Sequence, residues 1–87
     1  MGKKLTWYRV FHEKEAAALP YLEQEFDLEG YGPATVRLVR TQSGPALAFD
    51  GYFLPPELNS RNPFLTHDGK YGAVLDAEGY LWLGVKL

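Results

Sequence analysis

The stretch that decides the fold is YGAVLDAEGYLWLGVKL, residues 71–87. Two segments of it, Tyr71–Leu75 and residues 80–87, flank the connection DAEG (76–79), which ends on glycine. Short alternating segments around a four-residue turn predict an antiparallel hairpin. One face of the last segment is entirely apolar, and it consists of Leu81, Leu83, Val85 and Leu87. We therefore expect this strand to be central, or paired on the core side of the sheet.

Further strands are predicted upstream of this hairpin. Residues 34–40 and 46–53 alternate apolar and polar side chains on either side of the turn at 41–45, so we expect them to pair. Gly51 interrupts the second segment and indicates a β-bulge. Residues 5–11 are aromatic and β-branched, which predicts a first strand with two partly apolar faces.

A helix is predicted between the first strand and these hairpins, over residues 12–29. The apolar residues at three- and four-residue spacing there are Leu19, Leu22 and Phe26. Proline removes a backbone donor, so the helix should be kinked or split near Pro20, with a short turn over residues 13–18 and a longer helix starting at Pro20. We predict a single α+β domain over residues 1–87. It consists of one helix packed on a mostly antiparallel sheet of about five strands, and a partly closed barrel is the alternative arrangement of the strands.

Charge and composition exclude several classes of function. The 87 residues include 9 Lys and Arg against 11 Asp and Glu, so we expect no long nucleic acid and no membrane as partner. Apolar runs are far shorter than the roughly 20 residues that cross a bilayer, and a cytoplasmic location is expected. The absence of cysteine excludes disulfides, thiolate zinc sites and cysteine nucleophiles.

Residues for catalysis or metal binding are few. His12 and His67 are the only histidines, and they lie too far apart in sequence to form a metal-binding motif. His67 and Asp68 are adjacent, which does not suit a Ser-His-Asp relay. No glycine-rich phosphate-binding motif is present. We therefore expect no catalytic residues, no metal and no cofactor, and a protein that is not an enzyme.

Aromatic residues make up 15% of the chain and suggest a binding surface. Strand alternation assigns to the core Trp7, Phe11, Phe26, Phe49 and Phe53. Three other aromatic residues, Tyr52, Tyr80 and Trp82, fall on the opposite strand faces. They would either pack under other elements or form an exposed aromatic and basic surface with Lys86, Arg37 or Arg40.

The long segment 54–69 provides a second candidate surface, because it contains three prolines and several hydrogen-bonding side chains. The predicted binding residues of both surfaces are Tyr52, Asn59, Arg61, Asn62, Phe64, His67, Tyr80 and Trp82. A third feature, the acidic alternation of residues 23, 25, 27 and 29, would be spread around a helix and is interpreted as solvated charge.

These observations favour a non-catalytic binding protein that contacts another protein, such as a small inhibitor, for example of the phage type, or an adaptor. The alternative is a protein that binds a nucleotide or another small ligand at an oligomer interface. A homodimer is compatible with either hypothesis, because an open strand edge can pair with a second copy.

Overall fold

The structure, a computed structural model, describes residues 4–19, 21–56 and 63–87. Within these ranges the chain forms eight strands and one short helix. In chain order they are β1 (Thr6–His12), α1 (Glu13–Ala18), β2 (Tyr21–Leu28), β3 (Gly32–Thr41), β4 (Gly44–Phe49), β5 (Tyr52–Leu54), β6 (Phe64–Leu65), β7 (Tyr71–Leu75) and β8 (Tyr80–Val85).

The strands form two antiparallel four-stranded sheets. Sheet A has the order β1-β8-β7-β6, and sheet B has the order β2-β3-β4-β5. Aromatic pairs join their inner faces: the rings of Phe11 and Phe26 meet edge to face at 5.3 Å, and those of Phe49 and Tyr71 at 5.2 Å. The hydrophobic core therefore lies between the sheets, with β1 over β2 and β7 over β4.

The predicted α+β fold is wrong, because the protein is mainly β, with two sheets instead of one and a single six-residue helix in the described residues. The segment expected to continue as a helix from Pro20 is strand β2, paired with β3 over its whole length. Leu22 and Phe26 fit a helix and a strand equally well. The acidic residues between them alternate with a period of two, which suits a strand with one exposed face. Pro20 lies outside the described residues, and so does its predicted kink.

The predicted partly closed barrel is not found either, because the described strands form two separate sheets. In the described ranges, no helix has the length and apolar character needed to cross a bilayer.

The predicted short helical turn over residues 13–18 is confirmed as α1. His12 caps its N-terminus: ring Nδ1 accepts a hydrogen bond from the N–H of Lys14 at 3.1 Å, and the His12 N–H donates to Glu15 at 2.9 Å. Because Nδ1 is the acceptor, Nε2 carries the proton and donates to the carbonyl of Glu78 at 2.9 Å. His12 thus ties the helix start to the turn between β7 and β8.

The predicted C-terminal hairpin is confirmed, since β7 pairs with β8, and β8 lies centrally between β1 and β7. Residues 46–53 do not form one strand with a bulge at Gly51. Asp50 and Gly51 have φ angles of 52° and 82° and reverse the chain, so that β4 and β5 form a hairpin of their own. Two positive φ angles in succession are typical of the tight turns that match strand twist.

A bulge in β1 determines which of its side chains face outward. The register passes from Arg9 opposite Trp82 to Phe11 opposite Leu81, which leaves Val10 as the extra residue. Val10 and Phe11 consequently both pack against the core, whereas Trp7 and Arg9 lie on the other side of the strand.

The bulge also explains one error in the predicted core. Phe11 and Phe49 are buried and Phe26 packs against the core, as predicted. Trp7 is not a core residue, because strict alternation does not hold across the bulge. The prediction that Phe53 belongs to the core is also wrong, because Phe53 lies on the outer side of β5 and is 52% exposed.

Candidate functional site

The outer face of sheet A carries both tryptophans of the chain. In β1 and β8, Arg9 lies opposite Trp82 and Trp7 lies opposite Gly84. In β7, Val74 lies on the other side of Trp82. We call this surface the aromatic face and define it by Trp7, Arg9, Val74, Tyr80 and Trp82.

An open depression of about 250 Å³ lies on this face between Trp7, Val74 and Trp82. Gly84 makes this shape possible, because a Cβ atom at that position would be 2.7 Å from the Trp7 ring. A glycine in a strand allows such a close approach, so the indole of Trp7 lies directly against β8. The depression is therefore lined by two indole rings and one aliphatic side chain.

Trp82 is held in place by the turn between β7 and β8. Its indole N–H donates to the carboxylate of Asp76 at 2.8 Å. Asp76 also accepts hydrogen bonds from the backbone N–H groups of Glu78 and Tyr80, both at 2.9 Å. The hydrogen bond from Trp82 lowers the pKa of Asp76 and favours its charged form. The hydrogen bond from the Tyr80 backbone has a smaller effect in the same direction. These hydrogen bonds thus fix the ring orientation of Trp82.

Arg9 adds a positive charge to the aromatic face. Its guanidinium carbon lies 4.6 Å from the centre of the Tyr80 ring, a cation–π contact. The His12 ring meets Tyr80 edge to face at 4.7 Å on the same face. Among the described residues the one ion pair joins Arg37 to Glu23 on sheet B, so no carboxylate in that part of the chain pairs with the exposed Arg9.

Two of the predicted binding residues, Tyr80 and Trp82, come together on this face. Of the basic residues predicted beside them, Arg37 and Arg40 lie on β3 in sheet B and do not contribute. The indole of Trp7 and the guanidinium of Arg9 take the expected neighbouring positions instead.

The other predicted binding residues are not brought to this face. Phe64 packs against the core from β6, and His67 is exposed in the turn between β6 and β7. Tyr52 is half-buried and packs against the core from β5. Outside the described residues lie Asn59, Arg61 and Asn62.

Tyr52 belongs to a pair of reciprocal links between the sheets. Its hydroxyl donates to Asp68, in the turn between β6 and β7, at 2.7 Å. Tyr71 of β7 donates to Asp50, in the turn between β4 and β5, also at 2.7 Å, and this bond raises the pKa of Tyr71. The two tyrosine rings lie 5.1 Å apart. Each sheet thus gives one tyrosine to an aspartate of the other, which indicates a structural role for Tyr52.

Asp68 is expected to make the free energy of unfolding depend on pH in the acidic range. Hydrogen bonds from Thr66, Tyr52 and the Lys70 backbone lower its pKa from 3.8 to about 2. A carboxyl with a lower pKa in the folded chain stabilises the fold above about pH 4, and this contribution is lost as the pH falls toward about 2. In Asp68→Asn, the free energy of unfolding measured by urea titration should fall less steeply across this interval than in the wild type. Parallel curves for both proteins would contradict the assignment.

The outer face of sheet B has a different character. Glu23, Glu25 and Asp27 are exposed on one face of β2, because they alternate along a strand and are not spread around a helix as expected. Glu23 accepts hydrogen bonds from the Tyr21 hydroxyl at 2.8 Å and from Arg37 at 3.2 Å, and these contacts lower its pKa. One outer face of the protein is therefore acidic and the other aromatic.

A larger depression of about 340 Å³ lies on sheet B near the turn between β4 and β5. Its charged side chains are already engaged: Arg37 with Glu23, and Asp50 with Tyr71.

In the described ranges no cluster of three histidine, aspartate or glutamate side chains could hold a metal ion. Among the described residues, these observations favour the aromatic face as the candidate site. The predicted small-ligand site at an oligomer interface stays a prediction.

Comparisons with protein-family models, with curated proteins and with solved structures found no match to this chain.

Proposed function

We propose that this protein is a non-catalytic binding protein, such as an inhibitor or adaptor, that contacts another protein through the aromatic face. The observation that carries the proposal is the open depression between Trp7 and Trp82, with Arg9 and Tyr80 beside it. Tryptophan, tyrosine and arginine are the residues most enriched among those that dominate binding energy at protein interfaces. An aromatic depression on a sheet surface supplies such a centre.

Rigidity of the face supports the same proposal. Trp82 is fixed by Asp76, and the Trp7 ring lies against Gly84 on the central strand of sheet A. Side chains that are already ordered lose little conformational entropy when a partner binds. The depression can therefore bind a partner without prior rearrangement.

The proposal is tested by capturing partners on the immobilised protein and measuring the dissociation constant of the captured protein. Trp82→Ala should weaken binding about 30-fold or more, because truncating a central interface tryptophan costs about 2 kcal/mol or more. Phe53→Ala is the matched control, since Phe53 is a large aromatic residue, 52% exposed, on the other sheet. This control should bind with nearly unchanged affinity.

A second variant separates binding from stability, because Trp82 also bonds Asp76. Gly84→Val retains both tryptophans, and its new side chain must displace the Trp7 ring from β8. Circular dichroism should show a folded protein, and binding should be weakened to a similar extent as in Trp82→Ala. Wild-type affinity in both variants, or equal weakening by Phe53→Ala, would refute the proposed function.

A further inference from the structure

The aromatic face presents two unlike features, an apolar depression and a positive charge. The depression between Trp7 and Trp82 is lined by apolar rings, and Arg9 lies two residues beyond Trp7 on the same side of β1. Alternate residues of a strand are about 6.7 Å apart. The guanidinium itself lies over the Tyr80 ring, 4.6 Å from its centre, so the face offers an apolar depression and a cation on the same side of the sheet.

Each feature favours a particular chemical group. An indole-lined depression of about 250 Å³ has room for one aliphatic side chain or proline and offers little to a charged one. The guanidinium of Arg9 is exposed, and its planar fork suits a carboxylate. Asp76 does not pair with Arg9, because its carboxylate accepts hydrogen bonds from Trp82 and from two backbone N–H groups.

We infer that the partner presents an extended segment in which an apolar side chain and a carboxylate lie on the same side. The apolar side chain enters the depression between Trp7 and Trp82, and the carboxylate pairs with Arg9. This inference rests on the proposed function and specifies the partner segment for the same face. Charge complementarity selects an acidic segment over a basic one.

Short glycine–serine peptides test the inference. Three of them contain Leu-Ser-Glu, Leu-Ser-Gln or Leu-Ser-Lys, and a fourth contains the reversed order, Glu-Ser-Leu. Binding is followed by NMR titration of the two indole N–H signals, which belong to Trp7 and Trp82. One of the two glutamate peptides should bind about two- to fivefold more tightly than the glutamine peptide, and the lysine peptide should bind most weakly.

Reversing the charge provides the decisive control. In Arg9→Glu, the preference should invert, so that the lysine peptide binds more tightly than either glutamate peptide. Arg9 is exposed, and its substitution should leave the fold intact. Equal binding of the glutamate, glutamine and lysine peptides, or no binding of any peptide, would overturn the inference.

The outcomes distinguish this inference from the proposed function. If the captured partner still requires Trp82 but no peptide shows the charge preference, the inference fails and the proposed function stands. If the face is instead occupied by a second copy, size-exclusion chromatography will show a dimer that Trp82→Ala converts to monomer, and the inference fails. If neither partner nor peptide depends on Trp82, both fail.

Discussion

Phe11→Ala is expected to lower the free energy of unfolding by about 3–5 kcal/mol. Phe11 is 2% exposed, and its ring meets that of Phe26 across the two sheets at 5.3 Å. Removing the ring leaves a cavity between β1 and β2, which the neighbouring strands can close only in part. Small domains have about 5–15 kcal/mol of stability in total, so this change removes a large part of it.

Urea denaturation of the wild type, Phe11→Ala and Phe53→Ala measures the effect. Phe53→Ala removes the same side chain from an exposed position and should change the free energy of unfolding by less than about 1 kcal/mol. A loss below about 1 kcal/mol for Phe11→Ala would contradict a core between the sheets that includes β1.

The parts of the fold that depend on local sequence could be predicted. The C-terminal hairpin is one example, since the period of two in β8 and the short turn at residues 76–79 lie within one continuous segment. The helical turn α1 is another, because its capping contacts involve neighbouring residues. Both elements can be predicted from their own segments, without reference to the rest of the chain.

Strand β2 could not be predicted in the same way. Leu22 and Phe26 satisfy a helical and a strand period, and pairing with β3 decides between them. Such pairing is a tertiary effect that overrides a weak local preference. The acidic alternation at residues 23, 25 and 27 favours a strand, whereas the spacing of the apolar residues suits a helix as well.

The candidate site was predicted in part. Alternation in β8 identified Tyr80 and Trp82, but their neighbours Trp7 and Arg9 come from the opposite end of the chain. Their outward position depends on the one-residue bulge at Val10, and a bulge is set by the register with a distant strand. Gly84 is the sequence signal that points to such a neighbour, because a glycine within a strand often marks a close approach by another group.

Tryptophan emission offers a direct report on the proposed binding face, because both tryptophans of the chain lie there. Replacing them with 5-hydroxytryptophan allows their emission to be excited apart from that of a partner. A matched reporter places a label on the other sheet and keeps both tryptophans: Phe53→Cys carries a thiol-reactive fluorophore that acrylamide quenches, because the chain has no cysteine of its own. That reporter lies on an exposed side chain of sheet B.

The decisive measurement is acrylamide quenching of this emission, with and without the captured partner. We expect strong quenching in the unbound protein and the loss of most of it in the complex, because the partner covers both indole rings. The reporter on sheet B should be quenched equally in both states, because the partner does not cover that sheet. A tightly bound partner that leaves the quenching of Trp7 and Trp82 unchanged would contradict the claim that this protein binds through its aromatic face.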